Sequence, residues 1–218
     1  MKKLFKKLPL LFCCGLLVAA VTAQADIAVF TGVQGGNQAT DNVLFNDPNQ
    51  ANGTLVDGWL NTDHSTFVNF TGNEVLSTPA VGQSRIEAVD GSFNFISIQM
   101  ANPALAFNKI IFNIDAATDG KIALAFTDQL GGVTQNTFAV NGSGQNFFTA
   151  IASNGELIKS ATIGSPNSLV GINDLQQVRL GVSSNPGNSS SPVPEPATMI
   201  LFGTGLAGLA GIARRKRK

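Results

Sequence analysis

In Lys121-Ile122-Ala123-Leu124-Ala125-Phe126 the large apolar side chains fall on every second residue, with alanines between them. A period of two places Ile122, Leu124 and Phe126 on one face of an extended chain and the small residues on the other, as in a half-buried strand. Short apolar runs broken by Gly, Asn, Asp, Pro and Ser recur from Ile27 to Val182, and helical periodicity is hard to find. Further strands are expected at Ile27–Phe30, Ser65–Phe70, Arg85–Val89, Ser92–Met100, Phe107–Ile114, Gln135–Val140, Asn146–Ile151, Leu157–Ile163 and Gln177–Val182. The spacing predicts a hairpin between Phe107–Ile114 and Lys121–Phe126, turning through Asp115 to Gly120, with Asp119-Gly120 supplying the positive φ. In Ser92–Met100 the alternation changes phase, from Phe93 and Phe95 to Ile96, Ile98 and Met100, as at a bulge or in a strand buried on both faces. These strands predict an all-β domain over residues 26–182, a jelly-roll-like β-sandwich of two packed sheets.

Such a domain must be held by its core. The two cysteines, Cys13 and Cys14, lie in an apolar leader, so the domain has no disulfide framework and no thiolate metal site. From Asp26 to Ser191 the chain is long enough to bury a substantial apolar surface. Tyrosine is absent and Phe is the main packing aromatic. The formal net charge of zero hides a segregation. Of the 14 basic residues four sit in the leader and five at the extreme C-terminus, leaving five against 13 acids in the domain, a net charge of −8. An acidic surface repels phosphate backbones, so nucleic acid is not an expected partner.

The two ends are of a different kind. Lys2, Lys3, Lys6 and Lys7 precede an apolar run from Leu8 to Val21, and Ala23-Gln24-Ala25 has the small-x-small spacing that signal peptidase reads. Residues 1–25 are expected to be a signal peptide cleaved after Ala25, which makes signal peptidase and the secretion machinery partners. A lipoprotein signal fits poorly, because Cys13 follows the bulky Phe12 and Cys14 follows Cys13.

Residues 183–193 are rich in Ser, Asn, Gly and Pro, with almost nothing to bury, and predict a flexible linker. Pro192, Pro194 and Pro196 alternate with other residues, which favours an extended backbone without internal hydrogen bonds. Ala197 to Ala213 carry no charge and predict a membrane helix at the short end of the spanning range. Gly203, Ala207 and Gly211 would give that helix a stripe of small residues. Arg214, Arg215, Lys216, Arg217 and Lys218 form a basic stop-transfer cluster expected to stay in the cytoplasm.

Pro194-Glu195-Pro196, a short Gly/Ala/Leu-rich helix and an Arg-rich terminus, in that order behind a leader, resemble the PEP-CTERM protein-sorting signal of Gram-negative bacteria. The resemblance implies recognition of Pro194, Glu195 and Pro196 by exosortase, a membrane cysteine protease. It also implies export to the cell surface or extracellular matrix, often in association with exopolysaccharide, after transient membrane anchoring. The tail mixes Lys with Arg, a small departure, since retention needs only positive charge. A GPI signal would lack the basic terminus, and a sortase motif is missing. More weakly, Gly171 to Arg179 is similar to β-rich domains found with this signal.

For the domain itself three readings compete. A non-enzymatic surface or matrix protein ranks first, a carbohydrate-binding module second and a secreted hydrolase third. Trp59, between Asp57 and Asn61, is the candidate ligand contact: an exposed indole could stack on a sugar while its polar neighbours bind hydroxyls, whereas a buried one would be core. Asp63-His64-Ser65 contains the lone histidine, but adjacent residues of an extended chain point to opposite sides and do not form a triad. Glu74, Glu87, Asp90 and Glu156 show no spacing that singles out a glycosidase pair. Asn46 to Gly53, and Asp115 with Asp119, offer oxygens to Ca²⁺, but the first lacks EF-hand spacing. No catalytic residue, metal site or cofactor is expected.

Overall fold

The computed structural model describes residues 26–35, 40–45, 50–79, 85–165 and 170–185. The expected signal peptide, the first half of the Asn46–Gly53 run, residues 186–193 of the expected linker and the C-terminal signal lie outside the described residues, whereas Ser183 and Ser184, expected in that linker, end the last strand. The described chain is all-β, with β1 (Ile27–Thr31), β2 (Asp41–Leu44), β3 (Gly53–Leu60), β4 (Phe67–Ser77), β5 (Arg85–Ala88) and β6 (Phe95–Met100). Then follow β7 (Leu105–Ala116), β8 (Gly120–Asp128), β9 (Val133–Val140), β10 (Asn146–Ala152), β11 (Ile158–Gly164) and β12 (Ile172–Ser184).

Eleven of the twelve strands form one antiparallel hydrogen-bonded path, β1-β10-β7-β12-β2-β3-β4-β6-β11-β8-β9, and β5 joins the same sheet off it. It has two halves, β1-β10-β7-β12 and β3-β4-β6-β11-β8-β9. On one margin β2 crosses from β12 to β3, and β5 crosses from β12 to β4. On the other, Ile158 of β11 pairs with Phe107 of β7. The expected all-β class holds, but the sheets are stitched into a closed barrel rather than left as two separate layers. Across its interior Phe138 of β9 meets Phe148 of β10, ring centroids 5.3 Å apart.

Burial follows the alternation. Ile122, Leu124 and Phe126 point inward, as do Ile96, Ile98 and Met100, and all join one apolar core with Phe70, Phe93, Phe107, Phe112 and Phe148. The phase change at Ser92–Met100 is a break before the strand: buried Phe93 bridges Ile172, the ladder starts at Phe95, and Phe95 turns outward. In β12 the ladder shifts between Gln176 and Arg179, where Gln177 has φ 51°. That extra residue keeps both Leu175 and Val178 in the core although they are three apart.

One expectation is overturned. β7 and β8 do not pair as a hairpin; β7 pairs with β10, β12 and β11, and β8 with β9 and β11. β7 is buried along nearly its whole length, and such a strand belongs in a sheet centre, between β10 and β12. The connection from β7 to β8 therefore crosses from one half to the other.

Candidate functional site

Antiparallel partners share a face, so the registers show which side chains the second half turns outward. Asp57, Asn69, Gln99, Ser160, Thr127 and Val133 form one row across β3, β4, β6, β11, β8 and β9. Leu55, Thr71, Ser97, Thr162, Ala125 and Gln135 form the next. Phe95, Gly164, Ala123 and Thr137 continue beyond it. Trp59 and Phe67, paired across β3 and β4, close the opposite end. These are the outward phases of strands whose other phase fills the core, so the alternation that builds the barrel also builds this face. Much of its middle is small, with Ser97, Ser160, Thr162, Ala125, Ala123 and Gly164 beside the exposed Gln99, while Trp59, Phe67, Leu55 and Val133 stand at the margins. Among these residues only Asp57 is ionisable, and burial raises its pKa above the ordinary 3.8.

Over β10 and β7 the outward side of the other half is covered by the chain itself. The Thr149 hydroxyl donates to the Gly32 carbonyl at 2.8 Å and accepts from the Gln34 N–H at 3.0 Å. The Lys109 ammonium donates to the Gly35 carbonyl. Lys109, Asn113 and Thr149 are consequently buried under residues 32–35 or between neighbouring strands. Of the two sheet faces, the open one is β3-β4-β6-β11-β8-β9.

Trp59 is neither free in a loop nor part of the core. It is a half-buried strand residue on that open face, with Gly58 and Leu60 turned inward on either side. Its ring lies 5.8 Å from His64 and 6.2 Å from Phe67, and its indole N–H is covered without an acceptor. A covered donor of this kind is rare. Asp57 shares the face with Trp59; Asn61 lies past the strand end, exposed, its N–H donating to the Asn42 carbonyl at 2.9 Å. The structure thus brings together two of the three candidate contacts. Asn69, Gln99, Ser160 and Thr127, which complete the row, were visible in the sequence only as the polar phases of separate strands.

The other candidate residues have local structural roles. Asp63 accepts from the Ser65 N–H at 3.0 Å and the Ser65 hydroxyl at 2.6 Å, and also from Thr66. These bonds, the Ser65 hydroxyl first, lower the Asp63 pKa, and the Ser65 hydroxyl is directed to Asp63 rather than to His64. Glu87 pairs with Arg85 at 3.0 Å, and Glu156 accepts from the Asp26 N–H. Glu74 belongs to β4 and Asp90 to the turn after β5. Asp119 accepts from the Gly142 N–H at 2.8 Å, tying the turn after β7 to the one after β9, while Asp115 lies in β7. Among the described residues no three His, Cys, Asp or Glu gather to hold a metal ion, and no helix is long and apolar enough to cross a membrane.

The sequence pattern of the PEP-CTERM protein-sorting motif matches residues 192–218. The chain ends in the sorting signal of exosortase substrates. This PEP-CTERM signal follows β12 after a few residues and implies export of the barrel that precedes it. No curated protein matches the chain. Among solved structures, a mutant of the family 29 carbohydrate-binding module CBM29-2 aligns at 8% identity and a TM-score of 0.32, over 71% of this chain and 99% of that one. The apo form of CBM1 of BiXyn10A aligns at 13% identity and a TM-score of 0.24, over 73% of this chain and 98% of that one. Scores this low establish no common fold.

Proposed function

We propose that the chain is an exported surface or extracellular-matrix protein, processed by exosortase through its PEP-CTERM signal, whose barrel is non-catalytic and binds neutral polysaccharide on the open β3-to-β9 face. The observation that carries this reading is the composition of that face: the hydroxyl and amide side chains of Asn69, Gln99, Ser160 and Thr127 in register across β4, β6, β11 and β8, with Trp59 and Phe67 at one end and Asp57 as the one ionisable group in that row. Five strand intervals of about 4.8 Å give a surface about 24 Å long, enough for several sugar units of an extended chain. Hydroxyls and amides both donate and accept, as sugar hydroxyls do, and an aromatic ring offers an apolar surface to the C–H side of a sugar. The acidic balance of the domain disfavours polyanions, and the row, uncharged apart from Asp57, disfavours ionic pairing in general.

The test has two arms. The exported protein, prepared from the native host, is mixed with insoluble cellulose and with alginate as neutral and anionic probes. Retention on cellulose, with a change in Trp59 emission, is the outcome expected; equal retention on both, or on neither, rules out the neutral-glycan reading for these probes. Mass spectrometry of the mature C-terminus, with and without the host exosortase, tests processing. Loss of Arg214–Lys218 only in the strain that has exosortase is expected, and retention in both strains defeats the processing step.

A further inference from the structure

β9 ends the hydrogen-bonded path, and among the described residues it pairs with β8 alone. Every second residue on its far edge therefore turns its N–H and C=O away from the sheet, with no strand among the described residues to receive them. Proteins usually shield such an edge with a lysine, a proline, a bulge or a very short strand. β9 uses none of these. It is eight residues long, Val-Thr-Gln-Asn-Thr-Phe-Ala-Val, without charge or proline, and it pairs with β8 residue for residue without a shift. The opposite end strand, β1, has five residues and begins where Asp26 meets Glu156, so identical copies would bring acids together there.

We propose that β9 pairs antiparallel with β9 of a second copy, centred on Asn136, to form a two-fold dimer. Self-pairing sets each residue against its mirror position, so a charged strand would tend to meet its own charge; β9 carries none. Centred on Asn136, the ladder places Gln135 opposite Thr137, Thr134 opposite Phe138 and Val133 opposite Ala139. Val133 is 61% exposed in the single copy, and this register gives it an apolar neighbour. Centring on Thr137 would leave Val133 outside the ladder. The two-fold axis stands perpendicular to the sheet, so both open faces look the same way and join into one surface of twelve strands. That geometry doubles whatever the face binds, and the dimer does not depend on what that is.

The test uses the full chain in detergent with Cys13→Ala and Cys14→Ala, so that no native thiol remains. Opposed residues of an antiparallel pair lie about 4.5–5.5 Å apart at Cα, within disulfide range. Asn136→Cys is expected to give at least about tenfold more cross-linked dimer on mild oxidation than Thr54→Cys, because pairing raises the local thiol concentration. Asn136→Lys should sediment as a monomer where the parent sediments as a dimer, with the circular dichroism of the parent confirming its fold. A monomeric parent whose Asn136→Cys variant cross-links no faster than the control overturns the proposal. So does a dimer that Asn136→Lys leaves intact, since it must use another surface.

Discussion

Trp59 and Phe67 face each other across the β3–β4 ladder, ring centroids 6.2 Å apart and planes at 84°. This edge-to-face pair stands on the open face next to Asp57 and Asn69, and it fixes the indole by packing rather than by a hydrogen bond. Replacing Trp59 by Ala should weaken retention on a neutral polysaccharide by about tenfold or more, as for a central aromatic contact. Phe67→Ala should weaken it less, by loosening the indole, since such pairs contribute about 0.5–1.5 kcal/mol. Isothermal titration of both variants against a soluble fragment checks the order; equal binding by Trp59→Ala and the parent would remove Trp59 from the site.

Ser160 lies in the middle of the same face, paired with Gln99 on one side and Thr127 on the other. A lysine there stands in the path of a chain crossing the strands but lies outside the core. Ser160→Lys should abolish retention while shifting stability by no more than about 0.5 kcal/mol, as surface changes do. Thermal melts beside the binding assay check both halves; retention equal to the parent's would place the ligand elsewhere.

At Gly58 a methyl group would sit 2.6 Å from Val43 Cγ1 and 2.9 Å from a Phe45 ring carbon, with the Leu44 carbonyl at 3.2 Å. This is where β2 packs on β3, and the absence of a side chain lets them approach. Gly58→Ala should destabilise by about 1–3 kcal/mol, the usual cost of overpacking. Urea unfolding measures it. Because Trp59 and Asp57 flank Gly58, binding should fall as well.

Asp174 is nearly fully buried and lies 3.0 Å from the Arg85 guanidinium. Burial raises its pKa above 3.8, although the Gln176 amide and Arg85 both pull it down. The folded chain therefore holds this proton more tightly than the unfolded chain does. The stability gained is complete below about pH 3.8 and is lost as the pH rises through the folded-state value. Measured against Asp174→Asn, which cannot titrate, the parent's relative stability should fall across that interval and then level off. Arg85→Met removes the compensating charge and should widen the interval upward. Urea midpoints taken at closely spaced pH values check this, and a constant difference between parent and Asp174→Asn would refute it.

The strands that were legible in the sequence are those whose inward residues are large and regular, as in Lys121–Phe126 and Phe107–Ile114. β2 and β3 escaped because Asp41–Leu44 is short and Gly53–Leu60 contains two glycines and an aspartate, which read as loop until the close approach at Gly58 explains one of them. The second half of β4 escaped for the same reason: Thr71-Gly72-Asn73-Glu74 has turn composition. The hairpin assigned to β7 and β8 failed because proximity in the chain outweighed the burial of β7 on both faces. Trp59 was legible as a residue of interest, but its row was not. Asn69, Gln99, Ser160 and Thr127 come from four strands whose neighbours are set by the closed topology, and no local pattern encodes that order.

β12 is the last described strand before the sorting signal, and it is held along both edges, by β7 from Ile172 to Ser184 on one side and by β2 and β5 on the other. Asn185 is fastened to the Ala104 carbonyl at 2.8 Å. A pull on the C-terminal segment along this strand axis thus runs across the direction of its hydrogen bonds. Drag on the barrel while the signal is gripped would be resisted by many rungs in shear, instead of opening them one by one as a zipper does.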